Sequence, residues 1–481
     1  MKILLLNWAS KVDATCLSQI TSENSKIEYI IAESSIQRLK EFRNTDHYLI
    51  AWQALEDTRL PFIDRAKSCL ISEKGDTIEH LTEEALSTYS KNNIERGVLE
   101  QLILMAQRNS INNSSYGELL RYIKFSYSFF RALMLMYKPD ILISFEPPHE
   151  FTDFILAQAV LGSNTKSLAF YPSVINRHYS LIDMQEGLVN SMTLLGEHSP
   201  LIPNKEQIRR YCDKLVHTCN AQGTAIKPYD ESVDHEVEFL KSKQTSAKRL
   251  IISDERGLHF INEFARGFQS YKKNTTDIKK LLPMKRSVGK SPQFHYFPLH
   301  YEPEMTSLPS SGNLLPDQIS VLSRIIENIG SDDILLIKEH PSQLGFDYVM
   351  DGVHYLRHPT AYRSELFYDI IRSDKRIHLV DLAVTNKIIY QLFRPTVWTI
   401  TGTAAAEAYA SGLQPKSIGL YSPWSKLKLD NSLDITSYSS LSQGLQSYMS
   451  AYLLAIPMHL SEEIFSSILK MLGLGGYLLS K

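Results

Sequence analysis

Short runs of apolar residues recur along this chain, and each run is followed by a longer stretch with helical spacing. In the clearest case Pro139 and Asp140 precede the run ILISF (141–145), a helical pattern covers 150–161, and another apolar run covers 167–171. A strand that is buried on both faces of a parallel sheet has this continuous apolar character. The alternation of such strands with helices predicts an α/β fold with helices on the faces of its sheets.

The same alternation occurs in both halves of the chain. Further strands are predicted at residues 2–7, 26–32, 293–298, 333–338, 376–380, 397–400 and 417–420, and helices at 316–329, 364–372, 404–411, 441–454 and 461–472. A mostly helical region is predicted at 60–137, and a polar linker that contains a helix at 200–250. We therefore predict a Rossmann-like domain at 1–245, a second at 246–425, and C-terminal helices at 426–481 that pack back on the first domain.

The charge of the chain is nearly balanced, with 51 Lys and Arg residues against 53 Asp and Glu residues among 481. This balance argues against a broad basic surface for nucleic acid. The four cysteines do not form a disulfide framework, and the C-x6-C spacing of Cys212 and Cys219 is not a usual zinc pattern. No stretch approaches the ~20 apolar residues that span a bilayer, and MKILLLNWAS is better explained as a strand than as a signal peptide. We therefore expect a cytoplasmic protein without a bound metal, peripheral to a membrane at most.

Polar residues follow two of the predicted strands in the second half. The segment YFPLHYEPE places His300 and Glu302 just beyond one strand, and LIKEHP ends another strand with Lys338, His340 and Pro341. Ligands of open α/β sheets bind at the carboxyl ends of strands, and a Lys with a His at that position can neutralise a phosphate. These residues are candidates for binding a phosphate-bearing ligand. The alternative is an ordinary strand exit whose polar side chains face solvent.

A third segment, TITGTAAAEA, reads as a strand, a glycine turn and a helix of small residues. Thr401, Gly402 and Thr403 lie where the start of a helix offers backbone N–H groups and the positive end of its dipole. Glu407 lies one turn into the helix, where a carboxylate can accept hydrogen bonds from ribose hydroxyls. The alternative is that Thr403 caps the helix and Glu407 complements its dipole. The segment is neither GxGxxG nor GxxxxGK[ST], which disfavours a nicotinamide enzyme or a P-loop kinase.

The first half contains one comparable loop, SFEPPHE, directly after its most apolar strand. Glu146 and His149 in this loop are a candidate acid–base pair, and two prolines hold the loop stiff. The alternative is a rigid turn whose charges cap the next helix.

These segments together resemble a known family. FPLHYEPE, the helix start PDQ, IKEHP, YRSELFY, TITGTAAAEA and GLYSPW follow one another within residues 293–424. Their order and spacing are similar to those of the bacterial capsule and surface polysaccharide biosynthesis proteins, which include Kdo transferase-like enzymes. The resemblance implies a GT-B fold, with two Rossmann-like domains facing across a cleft. It also implies that His340 holds the donor phosphate, that Thr401, Gly402 and Thr403 line the nucleotide pocket, that Glu407 holds the ribose, and that no cofactor or essential metal is needed.

The leading hypothesis is a glycosyltransferase that moves a sugar from a nucleotide donor onto a capsular or surface polysaccharide, with a CMP-linked ulosonic acid such as Kdo favoured. Glu146 is the first candidate for the catalytic group, His149 the second, and Glu302 the third. The alternatives are a nucleotide-sugar 2-epimerase and a non-catalytic partner in polysaccharide assembly or export. The acceptor is expected to be a polysaccharide or lipid-linked glycan.

Contact with the inner membrane is a further expectation. It rests on five apolar residues at helical spacing near the C-terminus: Ile464, Phe465, Ile468, Leu469 and Leu472. The alternative is that this face packs against the N-terminal domain.

Overall fold

A computed structural model gives the fold of most of the chain. It describes residues 1–8, 11–12, 15, 17, 27–42, 47–57, 60–72, 75–108, 116–161, 163, 165–194, 199–220, 266–267, 269–286, 291–302, 310, 312, 315, 317–340, 343, 348–350, 353–355, 363–430, 437–457 and 460–474. The chain forms two compact units: unit 1 is Met1–Ile208 with Ser447–Lys481, and unit 2 is Arg209–Gln446. Of the boundaries predicted from the sequence, residue 245 lies outside the described residues and residue 425 lies inside unit 2.

The strands and helices are numbered here in chain order. The strands are β1 Lys2–Leu6, β2 Glu28–Glu33, β3 Tyr48–Ala51, β4 Ile141–Ser144, β5 Lys166–Pro172, β6 His178–Asp183, β7 Gly187–Leu188, β8 Phe294–Pro298, β9 Ile334–Lys338, β10 Tyr348–Met350, β11 Val353–Tyr355, β12 Ile377–Val380, β13 Thr396–Thr399, β14 Pro415–Ser417 and β15 Leu453–Ala455. The α-helices are α1 Phe62–Cys69, α2 Gly75–Thr88, α3 Arg96–Arg108, α4 Tyr116–Tyr137, α5 Phe151–Leu161, α6 Lys205–Asn220, α7 Gln318–Glu327, α8 Glu365–Arg372, α9 Asn386–Phe393, α10 Ala404–Ala410, α11 Tyr438–Tyr452 and α12 Glu462–Leu469.

The sheet of unit 1 has the strand order β15-β6-β5-β4-β1-β2-β3, and β7 pairs with β6. Strands β3, β2, β1, β4 and β5 are parallel, whereas β6 and β15 pair antiparallel at one edge. The order 3-2-1-4-5 of the parallel strands is that of a doubly wound Rossmann-like sheet. In such a sheet successive strands are added on one side of β1 up to β3 and on its other side from β4 onward. The carboxyl ends of β1 and β4 therefore form the topological switch point, where ligands bind.

The C-terminal segment completes the core of unit 1. Strand β15 pairs with β6, and four of the five apolar residues that suggested membrane contact are buried with the strands of this sheet: Phe465, Ile468, Leu469 and Leu472. The fifth, Ile464, is partly buried against the same core. The expectation that this face contacts a membrane is therefore wrong, because the side chains that would insert are packed inside the unit. Among the described residues, no helix combines the length and apolar character needed to cross a bilayer.

The sheet of unit 2 repeats this topology with five parallel strands. Its order is β12-β9-β8-β13-β14, which is again 3-2-1-4-5 when the strands are counted along the chain. Its switch point therefore lies at the carboxyl ends of β8 and β13. The two sheets confirm the prediction of an α/β protein with two Rossmann-like units.

Both faces of the unit 2 sheet are covered, which explains its continuous apolar strands. Leu335 and Ile337 of β9 pack on one face with helices α7 and α8, whereas Ile334 and Leu336 pack on the other face with α9 and α10. Because successive side chains of a strand point to opposite faces, a strand covered on both sides needs apolar residues at every position. Polar residues are left for the strand ends.

Three of the predicted elements differ from the structure. Residues 453–454 were predicted as the end of a helix, but they belong to the edge strand β15. The last strand of unit 2 is Pro415–Ser417 rather than 417–420. Helix α7 starts at Gln318, because the side chain of Asp317 caps it by accepting a hydrogen bond from the N–H of Ser320.

Candidate functional site

The loop after β8 is fixed at the switch point of unit 2 by side chains from other elements. Gln318, the first residue of α7, accepts a hydrogen bond from the backbone N–H of His300 at 2.8 Å and donates one to its carbonyl at 2.9 Å. The imidazole reaches across to the next strand of the switch point. Its Nε2 atom accepts from the backbone N–H of Ile400 at 3.0 Å and lies 3.2 Å from Oγ1 of Thr399.

The imidazole of His300 is neutral at physiological pH. Burial lowers its pKa to about 3, and the nearby charges of His340 and Arg363 act in the same direction. Because Nε2 accepts the backbone N–H, the proton of the neutral ring is on Nδ1. The ring also explains Gly402, since a Cβ atom there would lie 2.8 Å from Cε1 of His300. His300 therefore fixes the strand-to-helix turn rather than supplying a positive charge.

A buried ion cluster joins the loops that follow β8 and β9. The guanidinium of Arg363 pairs with Glu302 through Nη1 and with Glu339 through Nε at 2.7 Å, and it donates through Nη2 to the carbonyl of His300 at 2.9 Å. The hydroxyl of Tyr368 also donates to Glu339, at 2.7 Å. The side chains of Arg363, Glu302 and Glu339 are 1%, 2% and 0% exposed. The carboxylate of Glu302 is thus engaged inside the fold, which leaves Glu146 and His149 as the accessible candidates for acid–base chemistry.

The cluster also determines the direction of two pKa shifts. Burial acts to lower the pKa of Arg363, but the carboxylates of Glu339 and Glu302 outweigh it, so that the pKa lies above its ordinary value. Burial raises the pKa of Glu302, although the guanidinium opposes that shift. The arginine therefore stays charged and is the counter-charge that both buried carboxylates require.

Lys338 and His340, at the end of β9, differ in their surroundings. The ammonium group of Lys338 is buried and donates to the carbonyl of Val384 at 3.0 Å. His340 is half-buried, and its ring centroid lies 5.9 Å from that of Tyr301. Pro341 lies outside the described residues. Of the predicted phosphate ligands on this loop, His340 is therefore the better placed, while Lys338 anchors the loop before α9.

The helix that follows β13 carries a connected set of polar side chains. Glu407 accepts from the hydroxyl of Thr403 at 3.2 Å and from the amide of Asn386 at 3.1 Å, and Asn386 accepts from the hydroxyl of Tyr296 at 2.7 Å. Thr403 has helical backbone angles and no side-chain bond to the helix start. The side chain of Thr403, at the N-cap position of α10, therefore binds Glu407 instead of capping the helix. Glu407 is held in one orientation at the switch point, with Thr401 and Gly402 immediately before its helix.

In unit 1 the predicted acid–base loop follows β4 at the switch point. The hydroxyl of Ser144 donates to the carbonyl of Glu146, and Nδ1 of His149 donates to the carbonyl of Pro147 at 2.9 Å. A carbonyl can only accept, so the neutral ring of His149 carries its proton on Nδ1. Its Nε2 atom lies 3.7 Å from the carboxylate of Glu150. The loop thus fixes the orientation of the His149 ring, with Nε2 next to the carboxylate of Glu150.

Two further polar residues lie at this switch point and were missed in the sequence. Asn7 follows β1 and donates through Nδ2 to Asp153 of α5 at 3.3 Å, although Asp153 is fully buried. Burial raises the pKa of Asp153 well above its ordinary value; Glu150 and Glu146 raise it further, and the bond from Asn7 opposes the shift. The signal for Asp153 was available, because it is an acidic residue in the otherwise apolar helix FTDFILAQAVL.

The described part of the chain contains no group of three or more His, Cys, Asp or Glu side chains placed to hold a metal ion.

Comparisons with known proteins return structures but no sequence family. No family model matches the sequence, and no curated protein matches it. Among solved structures, the chain is similar to UDP-GlcNAc 2-epimerase from Methanocaldococcus jannaschii, with 12% identity over 98% of this chain and 99% of that one and a TM-score of 0.21. It is similar to UDP-GlcNAc 2-epimerase from Neisseria meningitidis bound to UDP-GlcNAc, with 12% identity over the whole of both chains and a TM-score of 0.19. A putative UDP-N-acetylglucosamine 2-epimerase from Listeria monocytogenes shares 10% identity over 100% and 97% of the two chains, with a TM-score of 0.21.

Likenesses of this strength assign no activity to the chain. Its own strand order defines the class: an α/β protein with two Rossmann-like units.

Proposed function

We propose that this chain is an enzyme that acts on a nucleotide sugar, with the nucleotide bound by unit 2 and the acid–base groups supplied by unit 1. The observation that carries the proposal is the arrangement at the unit 2 switch point. There a fixed glycine turn, the start of a helix and an oriented glutamate follow one strand, and His340 follows a strand of the same sheet.

Each of these groups matches one part of a nucleotide. The backbone N–H groups at the start of a helix bind phosphate oxygens, and His340 adds a side-chain donor. The carboxylate of Glu407 accepts hydrogen bonds from the ribose hydroxyls.

The first candidate reaction is glycosyl transfer. The donor would be a CMP-linked ulosonic acid, and the acceptor a capsular or lipid-linked glycan, as the sequence resemblance implies. Transfer by direct displacement needs one base to take the proton of the acceptor hydroxyl. Glu146 fills that role, with His149 as the second choice.

The second candidate is 2-epimerisation of a UDP-sugar, which needs no acceptor. Inversion at a ring carbon requires one group to remove a proton and another to return it. The loop after β4 carries Glu146 and Glu150 on either side of His149, and both carboxylates are close enough to Asp153 to raise its pKa. Two carboxyl groups on one loop favour this candidate specifically.

One assay distinguishes the reactions. The purified protein is incubated with CMP-Kdo, UDP-GlcNAc and a GDP-hexose, with and without a lipid-linked glycan acceptor. Release of CMP that requires the acceptor indicates transfer, whereas an epimer that NMR detects without acceptor indicates epimerisation. If no donor is converted and none of CMP, UDP and GDP binds in calorimetry, the proposed function is wrong.

Glu407→Gln tests the nucleotide site. The change keeps the size of the side chain but removes the charge that strengthens hydrogen bonds from ribose, and we expect nucleotide affinity to fall roughly 10-fold or more. Glu327→Gln, on the exposed surface of α7, is the matched control. Equal nucleotide affinity in both variants would contradict the assignment of Glu407.

Glu146→Gln tests the acid–base group. We expect turnover to fall at least ~100-fold while nucleotide affinity stays within a few-fold. Glu186→Gln, on the exposed turn after β6, is the matched control in the same unit. Near-normal turnover of Glu146→Gln would transfer the role to His149 or Glu150.

A further inference from the structure

Asn7 has an unusual backbone conformation at the switch point of unit 1. It follows β1 directly, its φ angle is 64°, and its N–H donates to the carbonyl of Ala32 at 2.9 Å. Positive φ is costly for residues other than glycine, and asparagine is among the few that tolerate it. The turn places Asn7, which is 8% exposed as a residue, with its short carboxamide at the carboxyl end of the first strand.

The carboxamide of Asn7 is locked in one orientation. Its Nδ2 atom donates to Oδ2 of Asp153 at 3.3 Å, and its Oδ1 atom accepts from Nε1 of Trp52 at 3.3 Å. The indole N–H can only donate, so the amide oxygen must face Trp52 and the amide nitrogen must face Asp153. A primary amide has two N–H groups and two lone pairs, and these partners use one of each.

Burial of the carboxyl group of Asp153 destabilises unit 1. It is 0% exposed, and its Oδ1 atom has no hydrogen-bond partner among the described residues. The carboxylates near it are Glu150 on its own helix, Glu146 on the loop after β4 and Glu56 on the short helix after β3. Buried groups that cost stability in this way are typical of functional sites, where the cost is offset elsewhere in the fold.

We propose that Asn7 contacts the hydroxyl groups of a sugar at the switch point of unit 1, and that Asp153 is the positioning residue that holds its carboxamide. Adjacent sugar hydroxyls present an acceptor and a donor side by side, which matches the remaining N–H and lone pair of Asn7. The part of the sugar bound here is its uncharged hydroxyl groups, because Glu56, Glu146 and Glu150 act on Asp153, the partner of Asn7, and would repel an anionic group. The inference rests on the proposed function only in taking a sugar as the ligand.

Asn7→Gly is the direct test, because glycine keeps the positive φ and removes only the carboxamide. The control is Lys138→Gly, an exposed residue of the same unit with φ of 50°. Binding of free N-acetylglucosamine, N-acetylmannosamine and galactose is measured by saturation-transfer NMR, and binding of CMP and UDP by calorimetry. We expect Asn7→Gly to weaken sugar binding at least 10-fold and to leave nucleotide binding unchanged, while Lys138→Gly changes neither.

The outcomes separate this inference from the proposed function. If Asn7→Gly leaves sugar binding intact, the role of Asn7 is overturned. The same holds if the wild-type protein binds none of these sugars. Sugar binding that depends on Asn7 in a protein that binds no nucleotide supports the role of Asn7 and refutes the proposed function instead.

Asp153→Leu tests the positioning role with a second measurement. Leucine is of similar size but accepts no hydrogen bond, so Nδ2 of Asn7 loses its partner and Trp52 alone holds the carboxamide. Sugar affinity should then fall at least 5-fold. The substitution also removes a buried carboxyl group beside three carboxylates, so the melting temperature at pH 7 should rise by about 2 °C or more. A lower melting temperature with unchanged sugar affinity would show that Asp153 is purely structural and would overturn the proposal.

Discussion

Lowering the pH from 7.5 to 5.0 should destabilise this protein through His300, and His300→Gln should remove that part of the loss. Burial, with smaller contributions from His340 and Arg363, lowers the pKa of His300 from 6.5 to about 3 in the folded chain. The unfolded chain therefore binds a proton that the folded chain does not. The stability contributed by the neutral ring is fully present above pH 6.5 and is lost as the pH falls toward 3.

The size of the effect follows from the two pKa values. At pH 5.0 the proton favours the unfolded chain roughly 30-fold, which lowers the free energy of unfolding by about 2 kcal/mol relative to pH 7.5. The hydrogen bond from the N–H of Ile400 to Nε2 is the structural reason, because a protonated ring could not accept it. The turn that carries Gly402 would then lose its contact with the loop after β8.

Urea unfolding of the wild-type protein, His300→Gln and His80→Gln at both pH values provides the assay. His80 is exposed on α2 and controls for the loss of a histidine. Glutamine at position 300 lowers stability at both pH values, so the informative quantity is the change in unfolding free energy between them. We expect this change to be about 2 kcal/mol smaller for His300→Gln. If the unfolding free energy changes equally between the two pH values in the wild-type protein and in His300→Gln, the conclusion that the folded chain holds His300 neutral is refuted.

Two further substitutions test the same switch point. Gly402→Ala places a Cβ atom 2.8 Å from Cε1 of His300. We expect the free energy of unfolding, measured with urea, to fall by about 1–3 kcal/mol. A loss below about 0.5 kcal/mol would contradict this packing. Arg363→Met leaves Glu302 and Glu339 buried without their counter-charge. We expect the free energy of unfolding to fall by about 3–5 kcal/mol, whereas Arg324→Met on the exposed face of α7 should change it little. Similar urea midpoints for the two variants would show that the buried ion cluster does not stabilise the fold.

Most parallel strands of both sheets were predictable, because burial on two faces leaves a continuous run of apolar residues in the sequence, although the short parallel strand β3 was not predicted. Ile334–Lys338 is apolar until its last residue, and the predicted strand was one residue longer. The antiparallel edge of unit 1 was not predicted. Strand β15 continues directly from helix α11 and has only three residues. Its pairing with β6 depends on packing far away in the sequence, which no local pattern contains.

The positions of the candidate site residues were better predicted than their charges and hydrogen-bond partners. His300 and Glu302 do follow β8, but the sequence gives no indication that one is neutral and the other paired with Arg363. The residues of that ion cluster come from separate loops, and only the fold brings them together. Asn7 and Asp153 were missed for the same reason, since they are 146 positions apart in the chain.

The division of the chain into units determines the order in which they can fold during synthesis. Unit 2 is one continuous segment, but unit 1 is interrupted by it and resumes at Ser447. At about 5–20 residues per second, the ribosome needs about 10–50 s to cross the intervening segment. Throughout that interval β6 lacks its partner β15, and the core of unit 1 lacks Phe465 and Ile468. The nascent chain thus exposes an unpaired strand edge and an open apolar core, the two features that recruit chaperones and promote aggregation.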